Sequence, residues 1–143
     1  MNKRTKLADR KLPNYTKGEE IFNMVSHIVG ASFGIVALVS GIIFAAIHGS
    51  VAGVLSAITF GIALIVLYTM SAVYHGLSPR VKGKKVMQVL DHCSIYLLIA
   101  GSYTPITVCA LAPANPVLGW TIFGVVWAVS ILGIVLNSID IKK

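Results

Sequence analysis

Polar segments alternate with long apolar runs along this chain, and the runs set the expected architecture. Four can be drawn, over residues 25–47, 51–74, 93–111 and 117–136. About 20 helical residues, rising 1.5 Å each, cross roughly 30 Å of bilayer hydrocarbon, and each run is about that long or longer. No Lys, Arg, Asp or Glu occurs from position 21 to 79 or from 92 to 139. The pattern predicts an all-α, polytopic transmembrane bundle of four spanning helices over residues 21–139. A segment of residues 1–20 precedes it and a short tail, 140–143, follows. Thr16-Lys17-Gly18-Glu19 has capping-box spacing, so a short interfacial helix is expected to start there and run into the first span. Residues 112–116, with two prolines, read as a tight turn, and Pro105 removes a backbone donor and should kink the third helix.

Composition supports the same class. Hydrophobic residues make up 56% of the chain and charged ones 12%, against about 25% charged in an average soluble domain. Mean hydropathy is +0.82. The first apolar run is longer than the 7–15 residues of a signal h-region, so the first helix is expected to stay in the mature protein. Cys93 and Cys109 lie sixteen residues apart on one expected helix. That is roughly 24 Å by helical rise, too far for a disulfide.

The net charge of +7 changes the picture through its placement. Lys3, Arg4, Lys6, Arg10, Lys11 and Lys17 precede the first span. Arg80, Lys82, Lys84 and Lys85 join the second to the third, and Lys142 and Lys143 end the chain. The connections near His48 and Asn115 carry none. In a four-span chain all of these lie on one side, which the positive-inside rule makes cytoplasmic, in the cell membrane, with both termini inside. The charge therefore marks topology and contact with membrane lipids, and no nucleic-acid partner is expected.

That topology gathers the polar residues. Asn23 and His27 enter the first helix, Ser71 and His75 leave the second, and Asp91 and His92 enter the third, all at similar depth. Ser71 and His75, at i and i+4, share a helix face. His92 points about 100° away from Asp91, which makes it secondary. Gly30-x-x-x-Gly34 is a close-packing pattern for membrane helices. Each residue also has a plain structural reading. His27 suits an interfacial position, Ser71 suits a bond back to its own helix, and Asp91 suits a helix N-terminus. An ionisable residue at a membrane segment is nonetheless a functional-site hypothesis.

Four motifs add a resemblance. Glu20-x-x-Asn23-x-x-Ser26-His27, Ser71-Ala72-Val73-Tyr74-His75, Leu90-Asp91-His92 and Gly101-Ser102-Tyr103-Thr104-Pro105 resemble those of bacterial hemolysin III proteins. These belong with the progestin and adiponectin receptors and alkaline ceramidases, a seven-helix superfamily of metal-dependent lipid hydrolases. The resemblance implies zinc as cofactor, with His75 as a ligand, Asp91 beside the metal-bound water and Ser71 in the same site. It matches Glu20 and Asn23 to the polar entry of the first helix. It also implies that this chain is truncated after four of seven helices, since the family's last helix brings an H-x-x-x-H pair. His27, His48, His75 and His92 include no such pair.

Two function classes follow. One is an integral membrane protein without independent catalysis in this form, acting in membrane homeostasis or associated with cytolysis. The other is a zinc-dependent hydrolase of a lipid amide or ester, completed by the missing helices. The expected partners are membrane lipids and either a homo-oligomer or a chain supplying those helices.

Overall fold

Thr16 starts the first helix as its motif predicts. Its hydroxyl accepts from the Glu19 backbone N–H at 3.3 Å, while the Glu19 carboxylate accepts from the Thr16 N–H at 2.7 Å. Two backbone donors at the helix start are thereby satisfied. The computed structural model describes Leu7 and residues 10–139. Over that range the helices are α1 (Lys17–Ile47), α2 (Val51–Gly76), α3 (Gly83–Ala114) and α4 (Pro116–Ile139). All four are long and apolar enough to cross a membrane, and no strand occurs among the described residues. The expected class, an all-α multi-pass bundle, holds.

The connections are short and locally capped. Gly49, with φ +64°, turns the chain after α1, and the Ser50 hydroxyl accepts from the Gly53 N–H at 2.9 Å to cap α2. The left-handed conformation at Gly49 is one that a Cβ would strain. The third connection differs from the expected turn over residues 112–116. The chain stays helical through Ala114, and Asn115 alone breaks it, at φ −148° and ψ 97°. Its side-chain oxygen then accepts from the Leu118 N–H at 3.1 Å, starting α4. Proline at the first position of α4 has no N–H to leave unsatisfied, so it opens a helix readily.

Pro105 does not end α3 either. The helix widens into a π-helical stretch over Ile106–Leu111, then resumes. Proline removes one ladder bond and crowds the turn before it, so the widened stretch, which follows Pro105 and ends just before Ala112-Pro113, relieves Pro113 rather than Pro105. Threonine hydroxyls take up carbonyls there: Thr104 bonds Ala100 O at 2.8 Å, and Thr107 bonds Tyr103 O at 2.9 Å. Inside a membrane such hydroxyl bonds stand in for water beside an irregular stretch of helix.

Packing follows chain order, α1 on α2, α2 on α3 and α3 on α4. The contacts use small residues. A Cβ on Gly30 would lie 2.6 Å from the Tyr68 ring, and one on Gly34 would lie 3.0 Å from Ile65. The expected Gly30/Gly34 face is thus the face that α1 lays on α2. The buried apolar residues are Ala45, Ala63, Ala100 and Tyr74, whereas Phe22, Phe33, Phe44 and Val117 are exposed. Lipid tails solvate large apolar side chains as well as a protein core does, so close backbone approach and polar bonds hold such helices together. One such bond joins α4 to α3, where Trp127 Nε1 donates to Thr104 Oγ1 at 3.2 Å.

Candidate functional site

The end of the bundle where α1 begins and α2 ends carries a connected set of polar side chains. Glu20 stands one turn into α1. One carboxylate oxygen lies 2.6 Å from His75 Nδ1, near the end of α2, and the other lies 2.6 Å from Lys84 Nζ, at the start of α3. Three helices are thereby tied through one carboxylate. A carboxylate has no proton to give, so Nδ1 is the donor and the lone pair of a neutral His75 is left on Nε2.

Lys84 is the component that the sequence reading missed. It is only 1% exposed. Besides Glu20 it donates to Leu77 O at 2.8 Å, and its ammonium lies 5.1 Å from the centre of the Tyr74 ring. A buried ammonium is tolerable only with such company: a counter-ion, a carbonyl and an aromatic face together replace its water. The sequence reading placed Lys84 in a solvated connection because the apolar run of the third span starts at Cys93. The helix starts ten residues earlier, at Gly83. A signal was present: Lys84, Gln88 and Asp91 recur at i, i+4 and i+7, one face of one helix, and Lys84 and Gln88 are buried along it.

The other expected residues gather unevenly. The His27 and His75 rings lie nearly parallel, 9° apart, with centroids 5.8 Å apart. His27 Nε2 is 3.5 Å from Ser71 Oγ, the long end of hydrogen-bonding range. His27 Nδ1 is buried with no hydrogen-bond partner among the described residues. Ser71 makes no bond back to its own helix, unlike Ser32 and Ser40 of α1. Asp91 sits half-buried on the inward face of α3, and no hydrogen bond or ion pair reaches its carboxylate among the described residues. Asn23 is half-buried at a separate depression lined by Tyr15, Gly18, Glu19 and Phe22. His92 is exposed, as its offset from Asp91 implied. His75, Glu20, His27, Ser71 and Lys84 therefore form the cluster, with Asp91 further along α3.

A cavity of about 460 Å³ opens beside this cluster, lined among others by Tyr15, Glu20, Met24, His75, Ser78 and Lys84. The cluster's chemistry agrees in part with zinc binding. A carboxylate on Nδ1 with Nε2 left over is the arrangement that orients metal-bound imidazoles, and His27 offers a second unpartnered ring nitrogen. A catalytic zinc needs about three protein ligands. No three His, Cys, Asp or Glu side chains come together to hold a metal among the described residues. These residues do not complete a zinc site by themselves.

A multi-pass helical protein with a histidine–carboxylate–lysine cluster at one end of its bundle is the class these features define. Sequence comparison narrows it, because residues 15–143 match the profile of the family described as Haemolysin-III related. The chain belongs to that family. It is 38% identical over 129 residues to the "Hemolysin-3 homolog" of Bacillus subtilis (strain 168), covering 90% of this chain and 59% of that protein. It is 37% identical over 126 residues to "Hemolysin-3" of Bacillus cereus, covering 87% of this chain and 55% of that one. The chain thus spans somewhat over half the length of these relatives. No solved structure matches it.

Proposed function

We propose that this chain is an integral protein of the cell membrane that acts in membrane homeostasis without independent catalysis, its polar cluster facing the cytoplasm. The observation that carries this reading is the shared Glu20 carboxylate. By holding His75 Nδ1 and Lys84 Nζ at 2.6 Å each, it matches the cluster's charges internally and makes the cluster a clasp between three helices. Any association with cytolysis, which the relatives' names carry, follows here from disturbance of the bilayer by an overproduced apolar protein. Orientation is tested with reporter fusions after Lys11, Ser50, Arg80 and Asn115. They should read inside, outside, inside, outside, and an outside Arg80 fusion would remove the cytoplasmic placement.

A second reading is favoured by the free His75 Nε2 and the orphaned His27 Nδ1. In it the cluster is part of a zinc-dependent hydrolase of a lipid amide or ester, with Asp91 and Ser71 in the same site. The remaining ligands would come from further helices or from another chain, including a second copy of this one. Zinc analysis of the purified 143-residue chain separates the first reading from a second in which this chain, with another copy of itself, completes the site. The first expects little metal after dialysis and a melting temperature insensitive to chelator. Stoichiometric zinc that disappears in His75→Ala, with fatty-acid release that disappears in Asp91→Asn, would replace the first reading by the second.

A further inference from the structure

Four basic residues lie within six positions, 80–85, across the α2–α3 connection and the start of α3, and they meet different fates. Lys84 turns inward to its counter-ion. Lys85 is already engaged in an interaction of its own. Arg80 and Lys82 are exposed, and neither side chain makes a hydrogen bond or ion pair among the described residues. A second cavity, of about 420 Å³, opens where they stand, lined by Leu7, Pro79, Arg80, Val81, Lys82 and Lys85. Among the described residues, every charged side chain in that lining is cationic.

We propose that this cavity binds the phosphate headgroup of an anionic membrane phospholipid, with Arg80 and Lys82 as its ligands. The cavity is distinct from the one beside His75, and the inference does not depend on the role assigned to that cluster. Three features point the same way. Cations crowding one concavity repel each other, and a phosphate accepting from the Arg80 guanidinium and the Lys82 ammonium relieves that repulsion. Leu7 and Val81, 44% and 47% exposed, put apolar wall beside the charges. That mixture suits a headgroup attached to glycerol and acyl chains better than a free ion, which would gain nothing from it. The connection also lies between the ends of two candidate spans, where lipid headgroups are found. The start of α3 adds a smaller term, since it has no acidic residue in its first turn and no side-chain cap. Its partial positive charge therefore also favours an anion.

The test uses the full chain, purified in a zwitterionic detergent and titrated with short-chain phosphatidylglycerol, while native mass spectrometry counts bound lipid. Phosphatidylcholine and inorganic phosphate are titrated in parallel. The wild-type chain should saturate with one phosphatidylglycerol. At roughly fivefold per cation, Arg80→Gln/Lys82→Gln should bind about 25-fold more weakly and Lys82→Gln alone about fivefold. Both residues are exposed, so the helices should form in either variant, and circular dichroism checks this. The control is Lys11→Gln, an exposed charge outside the lining, which should leave affinity unchanged. Equal weakening by Lys11→Gln would reduce the effect to net charge and overturn the site. Equal binding of phosphatidylcholine would overturn the role of the anion. Displacement of phosphatidylglycerol by an equal concentration of inorganic phosphate would make this a free-anion site and overturn the lipid.

Discussion

The two ends of this bundle use polar residues in opposite ways. At the end with Gly49 and Asn115, the polar bonds among the described residues are local, apart from the Cys109 thiol, which reaches Ser56 Oγ at 3.4 Å. Ser50 caps the helix it precedes, Asn115 does the same for α4, and His48 Nδ1 reaches Phe44 O one turn back. At the other end Glu20 reaches across 55 residues to His75 and across 64 to Lys84. Local caps fix where helices begin and leave their neighbours free. Long-range pairs fix which helices stand together, and they bury charge to do so. The first end is built for turning the chain and the second for holding it.

That contrast can be broken most forcefully at Glu20. Glu20→Ala strands the Lys84 ammonium in a site where it is 1% exposed. Removing one member of a buried pair typically costs about 3–5 kcal/mol, because the remaining charge is left uncompensated. Thermal unfolding in detergent should register a loss of that size, and Lys84→Met in the same background should recover much of it. If the double variant is no more stable than Glu20→Ala alone, the pair is not what joins α1 to α3.

A smaller and more pointed comparison sets two serines against each other. Ser50→Ala removes an N-cap bond of 2.9 Å and should cost about 1 kcal/mol. Ser71→Ala removes a contact to His27 of 3.5 Å and should cost less than about 0.5 kcal/mol, although Ser71 is the more buried of the two. The same unfolding assay ranks them. A reversed order would show that Ser71 has a structural task the geometry does not reveal. A small effect on stability, joined to a changed membrane phenotype, would instead assign Ser71 to function.

Much of this was legible in the residues. Uncharged runs of about 20 residues can hardly do anything but cross a bilayer as helices, so the four-helix fold follows from patterning. The Thr16–Glu19 box and the Gly30/Gly34 face rest on local chemistry and were legible for the same reason. His27, Ser71 and His75 were expected at one depth, and they meet. Lys84 and the central place of Glu20 were not expected, because hydropathy locates apolar runs and a helix can begin in polar residues, as α3 does at Gly83. The pairing of Glu20 with Lys84 also joins α1 to α3 past an intervening helix, a relation that no spacing within one segment encodes. The turn near Asn115 was misjudged for a related reason, since Pro113 lies where the last turn of α3 can accept it.

Chain order gives the clasp a schedule. Glu20 is synthesised first and His75 joins it when the α1–α2 hairpin is complete, but Lys84 lies 64 residues downstream of Glu20. At roughly 5–20 residues per second, the carboxylate precedes its lysine by about 3–13 s. During that interval the nascent hairpin must keep Glu20 near water at the bilayer boundary. Arrival of the third helix removes that need, so the same pair that ties the helices together also marks the moment when the first two cease to be provisional.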